Sequence, residues 1–214
     1  MNRLLAFALA ALLLGSAAAQ APHAHRHTFS DAERWARVFD DPARDAWQKP
    51  EEVIAALRLA PDAVIADIGA GTGYFAVRLA RAVPQGRVFA VDIERDMVRY
   101  LRERAEREKL PNLVPVLATP DDPRLPQKVD RVLIVDTYHH IDARIDYFRR
   151  LRAALKAGGE IAIVDFTLDA PVGPPKSARL PAQTVIDEMQ RAGYALAAKH
   201  DFLPHQYFLV FRPQ

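Results

Sequence analysis

The sequence predicts an α/β protein: an open, mostly parallel sheet with helices on both faces. Three observations carry that expectation. From Val64 onward, short apolar runs of strand length alternate with segments of helical periodicity. The first run is joined to the first helix of the series by a glycine-rich turn, Gly69-Ala70-Gly71-Thr72-Gly73. The chain then closes with two strand-like runs, Ala195–Leu203 and Gln206–Phe211, flanking Pro204-His205, which read as an antiparallel hairpin.

The chain begins with Arg3, an uninterrupted apolar run from Leu4 to Leu14, and small residues at Gly15-Ser16-Ala17-Ala18-Ala19. A helix of that run would reach roughly 16 Å, about half a bilayer's hydrocarbon core. The pattern is that of a secretory signal peptide over residues 1–19, cut after Ala19 or, alternatively, after Ala21. This places the mature protein in the periplasm or outside the cell; the alternative is an uncleaved leader that anchors it to the inner membrane. No other stretch is apolar and long enough to span a membrane. Residues 20–49 then form a leader, a helix and a loop ahead of the main domain, 50–214. His23, His25 and His27 alternate in the leader and read as a solvated tail, with metal capture as the alternative.

A short helix is expected over Asp31–Phe39, capped by Ser30, with Trp35, Val38 and Phe39 on one side. The loop Arg44–Lys49 carries Trp47 and two cations; it either folds over a ligand at the glycine turn or packs the N-terminal helices on the sheet. Pro50 followed by Glu51 and Glu52 starts the next helix, whose apolar face is Val53, Ile54, Leu57 and Leu59.

Val64, Ile65, Ala66 and Ile68 make the opening strand. Gly69, Gly71 and Gly73 then allow positive φ and close approach of a ligand to the backbone, with N–H groups of the following helix facing it. An ordinary turn of this kind needs one glycine. The spacing G-x-G-x-G lacks the third spacer of a dinucleotide fingerprint, and Asp67 would repel phosphate and suit a cationic ligand group. Helix Tyr74–Val83 leads to strand Arg87–Val91 and Asp92. An ionised carboxylate at that strand end accepts from two neighbouring hydroxyls at once, as on a ribose; the alternative is a helix cap.

Arg95–Lys109 is a charged helix with Val98, Leu101 and Ala105 inward. The third strand, Leu113–Leu117, contains Pro115, which cannot donate to a ladder, so this strand belongs at an edge. A proline-rich loop with Asp121 and Asp122 precedes the strand Val129–Val135, which delivers Asp136-Thr137-Tyr138-His139-His140 to the sheet's carboxyl edge, where ligands bind in such folds. Ile141, Ile145, Phe148, Leu151 and Leu155 mark a helix stopped by Gly158-Gly159; strand Glu160–Asp165 and helix Pro181–Ala192 follow.

Composition is that of one soluble domain: 214 residues, 50% hydrophobic and 26% charged, with a net charge of +2. No basic stripe interleaved with aromatics argues for a nucleic-acid partner. The absence of cysteine removes disulfides, thiolate metal sites and a cysteine nucleophile.

Taken together, the parallel strands, the closing hairpin, G-x-G-x-G after the first strand and the acid ending the second resemble a class I S-adenosylmethionine-dependent methyltransferase. The resemblance covers about residues 50–212 and rests most on Asp67-Ile68-Gly69-Ala70-Gly71-Thr72-Gly73. It implies a Rossmann-like methyltransferase sheet of order 3-2-1-4-5-7-6, strand 7 antiparallel, which agrees with the edge position argued from Pro115. It implies S-adenosylmethionine as cofactor. Gly69, Ala70, Gly71 and Gly73 would underlie its methionine portion, Asp67 would lie near the ammonium, Asp92 would hold the ribose and Ile93 would pack on adenine. Asp121 matches the acid that contacts the adenine amine, although two extra residues precede it, and Asp122 is the alternative. Asp136 matches the position that faces cofactor and acceptor.

Roles for Tyr138, His139 and His140 go beyond the family motif. Transfer to an N or O atom requires loss of the acceptor's proton, for which imidazole is suited near neutral pH. His139 is the expected base, with Tyr138 and Asp136 beside it and a capping or core histidine as the alternative. The expected partner is a small-molecule acceptor, with no metal. A nicotinamide oxidoreductase is disfavoured by the glycine spacing and the hairpin; an exported nucleoside-binding protein without catalysis is the competing reading.

Overall fold

The apolar runs become strands β1 (Val64–Ile68), β2 (Arg87–Asp92), β3 (Leu113–Leu117), β4 (Val129–Val135), β5 (Leu155–Phe166), β6 (Tyr194–His200) and β7 (Gln206–Pro213) in a computed structural model that describes residues 29–214. The leader, its histidines and the expected cleavage after Ala19 or Ala21 lie outside the described residues. The helices are α1 (Ala32–Phe39), α2 (Asp45–Gln48), α3 (Pro50–Ala56), α4 (Tyr74–Ala82), α5 (Arg95–Arg107), α6 (Arg144–Leu151) and α7 (Ala182–Arg191).

One sheet runs in the order β3-β2-β1-β4-β5-β7-β6, parallel through β5, with β7 antiparallel to both its neighbours. Pro115 sits on the outermost strand opposite Ala90, so its missing N–H breaks no ladder on the open side. Successive strand residues go to opposite faces. Ile65, Val88, Ala90, Leu133 and Val164 join one core with α3, α4 and α5, whereas Ala66, Phe89, Val132, Ile134 and Ile163 join the other with α6 and α7.

Three local expectations change. Asp31 rather than Ser30 caps α1, its carboxylate accepting from Arg34 N at 3.2 Å. Val38 is turned out to solvent, while Trp35 and Phe39, one helical turn apart, stack together. Leu155 continues the helical spacing of Leu151 but pairs with Val129 as the first residue of β5, so Gly158 and Gly159 lie within an irregular strand start rather than after a helix. Ladder pairing outweighs the local helical pattern there.

Antiparallel β7 begins where parallel β5 ends, with Gln206 opposite Phe166. It thereby brings the first residue of the last strand to the same edge as the carboxyl ends of β1, β2, β4 and β5.

Candidate active site

The glycine turn is a tightly bonded element. Gly69 (φ 78°) faces Thr137, whose side chain a Cβ would overlap, and Gly71 (φ 55°) faces the Phe39 ring, 3.3 Å from where its Cβ would stand. The turn's amides are used internally: Gly69 N and Ala70 N both donate to Val91 O, Gly71 N to Asp92 Oδ2 at 2.9 Å, and Gly73 N to Ala70 O. These four amides are therefore committed within the fold. What the turn offers is close backbone approach and acidic neighbours.

Asp67 is buried beneath it, and burial followed by the nearby Asp92 carboxylate pushes its pKa up to about 7. Of the influences on it, only a backbone hydrogen bond from Ala76 acts the other way. Burial likewise raises the pKa of Asp92, which accepts from Gly71 N and, at 2.9 Å, from Glu94 N. Ile93 beside it is 52% exposed. Buried Thr72 Oγ1 in the same turn has no hydrogen-bond partner. Two carboxyls short of positive charge, an unpaired hydroxyl and a bare apolar side chain fit a cationic amino-acid nucleoside.

Asp121 and Asp122 do not join this group. Both are exposed; Asp121 O accepts from Arg150 and Asp122 Oδ1 from Arg124 N. They line a surface hollow with Leu125, Leu151 and Ala154 that includes none of the glycine turn. The β3–β4 connection carries no helix; its first residue, Ala118, donates to Asp92 O, and Thr119 pairs with Asp122 in a tight turn.

At the end of β4, Asp136 takes a left-handed backbone (φ 53°). Its carboxyl pKa is pushed up to about 7 by burial and then by Asp165. It is held in a closed ring: Gln206 Nε2 donates to Asp136 Oδ1, Gln48 Nε2 to Gln206 Oε1 at 2.8 Å, Arg44 Nη2 to Gln48 Oε1 at 2.8 Å, and Arg44 Nη2 returns to Asp136 Oδ2 at 3.5 Å. The Arg44 guanidinium lies 4.3 Å from the Tyr74 ring centre, and its Nε is buried without a partner. Trp47 packs near Phe166 and His205, 5.9 and 6.4 Å between ring centres, so its loop covers the ends of β5 and β7.

His139 Nδ1 lies 2.9 and 3.0 Å from the two oxygens of Asp165, and His139 N donates to Oδ2 at 3.3 Å. Both side chains are 3% exposed. Tyr138 goes elsewhere, contrary to expectation. Fully buried, it stacks on Phe148 and donates to Glu188 Oε2 at 2.8 Å, so it belongs to the α6–α7 core and not to the site. His140 is exposed, its ring 4.1 Å from that of His139. Among the described residues, no group of three or more His, Asp or Glu is placed to hold a metal ion, and no helix is long and apolar enough to cross a membrane.

The sequence reading missed Asp165, Arg44, Gln48 and Gln206. Asp165 had a signal: like Asp92, it stands at the carboxyl end of a parallel strand. The other three lie outside the regular βα series.

Residues 65–159 match the methyltransferase-domain family. A structure titled a SAM-dependent methyltransferase from Aquifex aeolicus superposes with a TM-score of 0.78 at 22% identity, covering 85% of this chain and 97% of that one. The chain thus has the fold of that structure and carries a match to the methyltransferase-domain family over residues 65–159. Among curated proteins, the chain is 31% identical over 133 residues to trans-aconitate 2-methyltransferase of Rhodopseudomonas palustris, covering 62% of this chain and 48% of that protein. It is 30% identical over 89 residues to a tRNA(Phe) (4-demethylwyosine(37)-C(7)) aminocarboxypropyltransferase of Methanocaldococcus jannaschii, covering 40% and 36%. The chain thus spans half or less of the length of these curated relatives.

Proposed function

We propose that the protein transfers a methyl group from S-adenosylmethionine to an N or O atom of a small-molecule acceptor, with His139 as proton acceptor. The observation that carries this is the buried His139–Asp165 pair beside Asp136, on the same sheet edge as the acid-lined glycine turn. Asp67, Asp92, Ile93 and the turn Gly69–Gly73 would hold the cofactor, which supplies a methyl already activated on a sulfonium. Transfer of that kind needs mainly positioning.

The chain's own residues supply the rest. Asp165 engages His139 Nδ1 and fixes ring orientation, which leaves Nε2 as the basic atom for the acceptor's proton. Asp136, clamped by Gln206 and Arg44, presents a carboxyl to the same space. The ring of Arg44, Gln48 and Gln206, walled by Trp47 and Phe166, forms the acceptor side. A small-molecule acceptor agrees with the relatives named for trans-aconitate.

The test combines calorimetry with S-adenosylhomocysteine and a screen of metabolite mixtures with isotopically labelled methyl donor. Label transfer is expected, and His139→Ala should lower turnover by about 10²- to 10⁴-fold. Binding without transfer to any acceptor would favour the nucleoside-binding reading; binding of NAD and not of S-adenosylhomocysteine would overturn both. Export through cleavage after Ala19 or Ala21 is part of the proposal, and it requires the donor to be supplied outside the cytoplasm. Cell fractionation with N-terminal sequencing tests it, and an intact Met1 in a cytoplasmic pool would refute it.

A further inference from the structure

The segment ahead of α3 takes no part in the sheet. It starts beside Ile93, where Phe29 N donates to Glu94 Oε1 and Asp31 N to Asp96 Oδ2 at the start of α5. It crosses α5 through Glu33–Arg99 at 3.0 Å, reaches α4 through Asp45 with Tyr74 and Arg78, and ends at the Gln48–Gln206 bond. Every element assigned to the cofactor is therefore passed by this strap.

Its inner surface is aromatic. Phe29, Trp35 and Phe39 pack with ring centres 5.0 to 5.8 Å apart. At one end of the cluster Phe39 abuts Gly71 in the glycine turn; at the other Phe29 meets His140 at 5.6 Å. The cluster thus spans the gap between the first strand's turn and the segment that carries His139. A single atom, Arg104 Nη1, donates both to Asp40 Oδ1 at 2.8 Å and to Thr72 O at 2.9 Å, tying strap and turn together.

The strap is weakly anchored for an element so placed. In α1 only Ala32 is buried, and in α2 only Gln48. The aromatic trio is half-buried, and apart from Trp47 against Phe166 and His205 and Arg44 against the Tyr74 ring, the remaining ties are ion pairs and polar bonds. Segments with few buried apolar contacts open at the low end of a protein's range of local stabilities.

We propose that residues 29–48 form a gate over the cofactor site. Phe39 is its seal on the glycine turn and Arg104 its latch, and the gate lifts to admit S-adenosylmethionine and closes to retain it. The proposal rests on the cofactor assignment above. Phe39 is a positioning residue contributed from outside the βα framework, and Arg104 is one contributed by α5.

The experiment follows S-adenosylhomocysteine binding by stopped-flow fluorescence of the full chain carrying Trp47→Phe, which leaves Trp35, stacked on Phe39, as the single tryptophan. Calorimetry on the same sample establishes binding independently. Trp35 emission should change on binding. Phe39→Ala should raise both association and dissociation rates on the order of tenfold, as expected when a gate limits exchange. Asp40→Asn, on the polar side of the strap, should raise both by a smaller factor, and added salt should act in the same direction by screening the ion pairs. Should Phe39→Ala fail to fold, Asp40→Asn still decides. Calorimetric binding with an unchanged Trp35 signal and unchanged rates in the variants would overturn the gate while leaving the cofactor site. Absence of any binding heat would overturn the cofactor assignment and the gate with it.

Discussion

Asp67→Asn isolates the cost of keeping a carboxylate under the glycine turn. The folded protein raises this carboxyl from 3.8 to about 7, through burial first and Asp92 second. A raised acid pKa means that the native state keeps a proton the unfolded chain gives up. Stability is therefore lost as pH rises from about 4 to about 7, and the loss is complete above 7. Three pKa units at 1.36 kcal/mol each set a ceiling of about 4 kcal/mol. Asparagine removes the ionisation while keeping size and an oxygen to accept from Ala76. Asp92 and Asp136, also raised, remain in both proteins and largely cancel in the comparison. Urea denaturation of wild type and variant at pH 5 and pH 8 measures the difference. The variant should gain on wild type as pH rises, approaching the ceiling at pH 8. For a domain of this size that corresponds to about 2–4 °C in Tm per kcal/mol. Under the proposed cofactor assignment, which puts this carboxyl near the ligand's ammonium, S-adenosylhomocysteine binding should weaken in the same variant. A stability gap that stays constant between pH 5 and 8 would refute the claim that Asp67 ionises unfavourably in the fold.

Gly69→Ala should destabilise by about 2–4 kcal/mol, since it combines a strained positive φ with overlap on Thr137, and Thr137→Ala should recover part of the loss; thermal melts of the single and double variants check this. Tyr138→Phe should cost about 1–2 kcal/mol from the lost bond to Glu188 yet leave methyl transfer intact, and a large fall in turnover would return Tyr138 to the site. Gln206→Ala opens the ring around Asp136 and leaves Gln48 without its acceptor, so stability should fall by about 1–3 kcal/mol and turnover with it; denaturant melts and labelled-methyl assays read the two effects.

The sheet was legible because its signals are local. Apolar runs of strand length, a glycine turn and Pro115 each report the chain's own neighbourhood, and together they leave few arrangements for a parallel sheet. Asp67, Asp92 and Asp136 were legible for the same reason: each ends or follows a strand. Arg44, Gln48 and Gln206 were not, because the ring they make joins residues up to 158 apart and no periodicity encodes it. Tyr138 was misread because it follows β4 in a short turn whose sequence does not say which way the ring points. Asp121 and Asp122 lie in a loop whose course between β3 and β4 is decided by packing, which no local pattern reports. The helix expected through Leu155 failed where strand pairing with Val129 took precedence.

The order in which the ring's members are synthesised has its own consequence. Gln48 and Arg44 precede the whole sheet, Asp136 lies in its middle, and Gln206 opens the final strand, which inserts between β5 and β6. Until β7 is in place Arg44 alone reaches Asp136, and Gln48 has no Gln206 oxygen to donate to. Closure of the ring around Asp136 therefore reports that β7 has docked between β5 and β6.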